Sequence, residues 1–167
     1  LVISVFGLFS LAVILGAVAG IYGIAGNYDA PLYNREIKQK FRNAGIDILA
    51  NESRAVALPN GKILYLAGID DSSNRRANLR AFRNIPSGVP VVMLAHDPRN
   101  FGMAIELGVN LLLAGHTHGG QICIPFLTQK SASANKSPYM RGLFTSGKTK
   151  MYVNRGIGTT RVPDYSL

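Results

Sequence analysis

The chain has three histidines in 167 residues, and all of them stand where an apolar run ends. His116 and His118 lie in LLLAGHTHGGQ (111–121), His96 closes the run in VVMLAHDP (91–98), and Asn27 ends IYGIAGN (21–27). Imidazole nitrogen and amide oxygen suit borderline divalent ions such as Zn, Mn, Fe or Co. A His-x-His in a turn can reach two different points, because alternate side chains diverge as the backbone bends. Two ions about 3.5–4 Å apart would need that divergence. A single histidine at a strand end more often caps backbone or packs against it. Three, each beside Gly or Asp after an apolar run, favour ligation.

Groups that must meet need elements that bring them to one rim. Short apolar runs alternate here with amphipathic ones. IYGIA, IDILA, VPVVMLA, VNLLLAG, QICIPF and KMYVNRG read as strands. NREIKQKFRNAG reads as a helix with Ile37, Phe41 and Ala44 on one face and Gly45 at its C-terminal cap. ANLRAFRNI reads as helical, and PRNFGMAIELG as a helix opened by Pro98. ESRAVALPNGKILYLAGI reads as a hairpin, because Asn60-Gly61 is a strong tight-turn signal between two apolar arms. Helices interleaved with fully apolar strands predict an α/β fold with a largely buried sheet. In such folds ligands collect beyond the carboxyl ends of the strands, where Asn27 and the three histidines fall.

Composition narrows the partners. A 47% hydrophobic, 16% charged chain is globular, and one cysteine, Cys123, excludes an internal disulfide framework. Net charge is +9, and residues 107–163 contain Lys130, Lys136, Arg141, Lys148, Lys150, Arg155 and Arg161 but no Asp or Glu. That stretch is either a solvated basic face or a positive field for phosphate-bearing ligands and anionic headgroups. Aromatic residues make up only 8% and are not interleaved with the basic ones, which argues against nucleic acid as a partner.

Residues 1–28 carry no charge, and residues 1–19 are almost wholly apolar. About 20 apolar residues suffice for a helix to cross a bilayer. Two expectations stand for residues 1–19: a transmembrane helix, with membrane association of the chain, or a buried strand and helix of the core. Residues 20–167 form the remaining domain. The first residue is not methionine and the sequence stops at VPDYSL, so a partial chain is the expectation.

GNYDA (26–30), LAHDP (94–98) and AGHTHGGQ (114–121) resemble the later motifs of the calcineurin-like metallophosphoesterases. The likeness is greatest to a bacterial membrane-associated branch that includes pyrophosphatases of the lipid A precursor UDP-2,3-diacylglucosamine. LAGIDDSSNRRANL and MYVNRGIGTT extend the resemblance over about residues 20–160. It implies a two-sheet sandwich flanked by helices, here incomplete at its N-terminal side. It also implies two divalent ions (Mn, Zn or Fe), with Asn27, His96 and His116 on one and His118 on the other. The activity implied is hydrolysis of a phosphoester or pyrophosphate bond in a phosphate-bearing small or amphiphilic substrate, in lipid A biosynthesis for that branch.

Two departures qualify this expectation. Tyr28 stands where the family's Gly-Asn-His-Asp motif has the histidine that assists the leaving group; a phenol with pKa near 10 is a poor proton shuttle. The family's Asp-x-His and Gly-Asp motifs have no counterpart ahead of Asn27, where Leu8 aligns with the bridging aspartate. Two functional expectations follow: a membrane-associated phosphoesterase, or a catalytically degenerate module or truncated product that keeps the fold.

Overall fold

The computed structural model describes residues 2–3, 13–16, 20–27, 35–70, 78–120 and 138–156. The smaller of two sheets has the order β1-β2-β3-β4, from β1 (Val2–Ile3), β2 (Val13–Gly16), β3 (Gly20–Gly23) and β4 (Ile46–Ile48). The described parts of the apolar N-terminal segment are therefore strand, and β2 pairs antiparallel with β3. Its remaining residues lie outside the described ones. Among the described residues no helix is long and apolar enough to cross a membrane.

The larger sheet is six-stranded, in the order β5-β6-β7-β8-β10-β9. Its strands are β5 (Glu52–Ala57), β6 (Ile63–Gly68), β7 (Val91–Leu94), β8 (Leu111–Ala114), β9 (Gly142–Ser146) and β10 (Thr149–Val153). β6, β7, β8 and β10 run parallel, and antiparallel β5 and β9 close the two edges. The β5–β6 hairpin turns at Asn60-Gly61 as predicted, with Gly61 at φ 76°.

Alternation along the strands sorts the core into layers, because successive side chains leave opposite faces. Leu64, Leu66, Val92, Leu94, Leu111 and Leu113 face the smaller sheet and pack with Tyr22, Ile24 and Leu49. The other parity, including Ala67, Met93, Leu112, Ala114 and Met151, packs beneath Phe101 and Ala104 of α2 (Phe101–Glu106). On the far side of the smaller sheet, Ile21, Ile46 and Ile48 meet Phe41 of α1 (Arg35–Asn43). The result is helix, sheet, sheet, helix: the expected α/β sandwich. At Gly68 the packing leaves no room for a side chain: an added Cβ would lie 2.4 Å from Leu49 Cβ and 2.9 Å from its carbonyl oxygen.

Two elements differ from the expectation. ANLRAFRNI holds only a single 3₁₀ turn, Leu79–Phe82. Asn78 caps it, accepting from the Arg80 N–H at 2.9 Å, and Pro86 disfavours α geometry at Ile85, so no room remains for a longer helix. Strand β9 was not foreseen; Gly147-Lys148, with Gly147 at φ 55°, turns it into β10. The QICIPF strand expectation lies outside the described residues.

Candidate metal centre

Four parallel strands end at one rim of the larger sheet, and backbone bonds hold their exits in step. The Ala95 N–H donates to the Leu113 carbonyl at 3.1 Å, and the Gly115 N–H donates to the His96 carbonyl at 3.1 Å. His96 and His116 therefore leave the sheet side by side, with ring centroids 4.6 Å apart and planes at 65°. From the smaller sheet, the chain continues past β3 through buried Ile24 and Ala25 to Asn27. Asn27 Oδ1 lies 2.7 Å from His96 Nε2, which lies 2.9 Å from His116 Nδ1. The two sheets thus meet at their ends through these three side chains.

One ring nitrogen carries either a proton or a lone pair in the ring plane. His96 Nε2 cannot both donate its only hydrogen to Asn27 and accept one from His116. A cation between the three atoms removes that conflict. Ligands at right angles around an ion, each about 2.1 Å away, lie about 3 Å apart, close to the spacings found here. An amide oxygen and two imidazole nitrogens also match the donor preferences of borderline divalent ions. The residues present fit such an ion, although all three ligands are neutral and leave its charge uncompensated.

The loop after β8 is conformationally unusual. His116 and His118 have φ of 70° and 50°, two of the three non-glycine residues with positive φ among the described residues. Such conformations cost of order 1 kcal/mol or more and persist where surroundings over-determine them. Between them, Thr117 is buried, and its hydroxyl donates to the Met140 carbonyl. The buried threonine sends the flanking imidazoles away from the core. His118 does not join the other two histidines: among the described residues, no three His, Cys, Asp or Glu side chains are grouped to hold one ion. Tyr28 lies outside the described residues.

Sequence reasoning missed the support beneath His96. Asp97 is only 2% exposed; it accepts from the Arg99 backbone N–H at 2.8 Å and from Arg99 Nε at 2.7 Å, capping the turn Pro98–Asn100. Burial alone would raise its pKa, but the Arg99 side-chain and backbone hydrogen bonds, with a smaller contribution from His116, hold the carboxyl below the ordinary aspartate range. Buried Asn100 donates to the Asp97 carbonyl at 2.9 Å. The signal was present as Asp-Pro, a cap followed by proline in the first turn.

Likeness to known proteins agrees with this architecture. The metallophosphoesterase YkuE of Bacillus subtilis is 30% identical over 151 residues, 89% of this chain and 53% of that protein. The phosphodiesterase YaeI of Escherichia coli is 29% identical over 87% of this chain and 54% of its own length. The UDP-2,3-diacylglucosamine pyrophosphatase LpxG of Chlamydia muridarum is 25% identical over 75% of this chain and 40% of its own. No protein-family model matches the sequence, and no solved structure matches it. The chain spans about half the length of the first two relatives. Metallophosphoesterases use divalent metal ions, which is the chemistry that Asn27, His96 and His116 suit. Its four-layer fold is consistent with that of the calcineurin-like metallophosphoesterases, and most of its length is similar to proteins named as metallophosphoesterases.

Proposed function

We propose that the chain is part of a metal-dependent phosphoesterase that hydrolyses a phosphoester or pyrophosphate bond in an anionic, lipid-like substrate at a membrane. The observation that carries the reading is that His96 Nε2 lies 2.7 Å from Asn27 Oδ1 and 2.9 Å from His116 Nδ1. Asn27, His96 and His116 would hold one divalent ion (Mn, Zn or Fe), and His118, diverging from them, would serve a second. Such ions lower the pKa of water to about 7 and neutralise charge on a phosphoryl group. The chain's own part is to fix these donors on strand ends with little freedom to reorganise. Tyr28 would donate a hydrogen bond to the phosphoryl or leaving oxygen rather than a proton, which costs about 10²–10⁴-fold relative to general-acid help.

The lipid and membrane parts of the proposal draw on the uncharged residues 1–28, on the acid-free basic stretch 107–163, and on the likeness to a relative named for UDP-2,3-diacylglucosamine. A second reading, a module that keeps the fold and one ion without turnover, is favoured by the wholly neutral donor set. Metal content and activity measured together separate the two. The chain is purified in detergent and loaded with Mn. Bound metal and hydrolysis of bis-p-nitrophenyl phosphate are then measured beside His116→Ala. Two ions per chain and turnover abolished by His116→Ala support the phosphoesterase. One ion with no turnover above the variant supports the module. No bound Mn defeats both.

A further inference from the structure

We infer that Arg155 is the residue of this site that grips the phosphoryl oxygens of the substrate, an inference that rests on the phosphoesterase reading. β10 lies parallel beside β8 with Val153 opposite Ala114, so Asn154 and Arg155 leave the sheet at the rim where Gly115 and His116 leave it. The exit is pinned: the Asn154 N–H donates to the Ala114 carbonyl at 2.8 Å, and Asn154 Oδ1 accepts from the Gly156 N–H at 2.5 Å. The aliphatic stem of Arg155 then crosses the histidine loop at Gly119. A Cβ added to Gly119 would lie 2.6 Å from Arg155 Cγ and 2.7 Å from its Cδ, so the crossing requires glycine. Gly119 also has φ 64°, a conformation glycine adopts without strain.

The stem is thus laid against the loop that carries His116 and His118, while Arg155 as a whole stays exposed. A guanidinium is always charged and presents paired N–H donors that match two phosphoryl oxygens, which a lysine ammonium does not. The stretch 107–163, which supplies both the histidine loop and Arg155, contains no Asp or Glu, and the nearby Asp97 carboxylate is already paired with Arg99. The histidine loop and the Arg155 stem thus come from adjacent parallel strands, an arrangement that would let the two take a phosphoryl group from two sides.

The test uses the Mn-loaded chain with Arg155→Met, which keeps an apolar stem over Gly119, and Arg155→Lys, which keeps the charge without the fork. Inorganic phosphate binding is followed by calorimetry, KM for bis-p-nitrophenyl phosphate by steady-state hydrolysis, and bound Mn by elemental analysis. The expected result for Arg155→Met is a rise of about 10–100-fold in both the phosphate Kd and KM, with Mn content unchanged and Arg155→Lys between. A parallel change in both constants assigns the contact to the shared phosphoryl group, whether free or esterified. Phosphate affinity within about twofold of wild type in Arg155→Met overturns the inference, as does loss of Mn together with phosphate, which marks a structural role. A wild-type chain that binds no phosphate overturns it as well. The metal reading fails separately, when His116→Ala retains the wild-type Mn content; phosphate binding that still depends on Arg155 would then stand.

Discussion

Two polar clusters join the smaller sheet to the larger, and they are built on opposite principles. At one, Arg54 of β5 donates to Asp47 of β4 at 2.6 and 3.3 Å and to Glu52 at 2.9 Å, while Lys38 of α1 pairs with Glu52 and Arg42 lies 3.9 Å from Asp47. Each of the three basic side chains there meets a carboxylate. At the other, an amide oxygen and two imidazole nitrogens from Asn27, His96 and His116 come together with no carboxylate among them. The first cluster is complete in itself and ties strands. The second is the one that, on the proposed function, a cation would complete. Polar contacts at a sheet junction are structural when their charges balance internally, and functional when the balance must come from a ligand.

That contrast breaks most readily at the neutral cluster. His96→Ala removes the central donor, so Mn binding should fall at least about 100-fold and any Mn-dependent turnover with it, as read by equilibrium dialysis and hydrolysis. His96→Ala that binds Mn like the wild type would remove the basis of the contrast. Next in size is Gly68→Ala, where the new Cβ meets Leu49 side chain and backbone. Overpacking there should cost about 1–3 kcal/mol in urea unfolding while leaving metal affinity alone.

The charged cluster should respond in stability only. Arg54→Met leaves Asp47 and Glu52 short of a partner at a half-buried position, and a loss of about 1 kcal/mol with unchanged Mn content is expected. The smallest effect concerns pH. Burial works to raise the Glu52 pKa, but hydrogen bonds from Lys38 and Arg54 outweigh it and hold the folded value below 4.5. A depressed folded pKa stabilises the protein above the unfolded value and loses that contribution as pH falls through the folded one. Stability measured from pH 6 downward should therefore decline more steeply in wild type than in Glu52→Gln. Equal slopes would show that the cluster's ionisation contributes nothing.

Much of the scaffold could be read without coordinates, for identifiable reasons. β7 and β8 are buried on both faces and so appear as unbroken apolar runs, and Asn60-Gly61 fixed the β5–β6 hairpin because few residue pairs accept that turn. Placing Asn27, His96, His116 and His118 at strand ends needed only the positions where those runs stop. The meeting of Asn27 with His96 was expected only through the family resemblance, since it depends on how one sheet lies over the other, and sheet packing leaves no local periodic trace. Nor does a sequence announce positive φ at His116 and His118, because histidine tolerates several backbone regions. Arg155 gave no signal among the basic residues; only the parallel pairing of β10 with β8 sets it apart.

Thr117 has a consequence of a different kind. Its hydroxyl fastens the chain where it leaves the rim to Met140, 23 positions later, where it returns. Tyr139 secures the same return, packing edge-on against Phe101 at 5.5 Å and Phe144 at 5.0 Å. Thr117 and Tyr139 thus tie the described chain to the scaffold on both sides of residues 121–137. Closure entropy rises by only about 0.6 kcal/mol for each doubling of such an excursion. Between these two anchored ends, a change in the number of connecting residues should therefore cost the rim little.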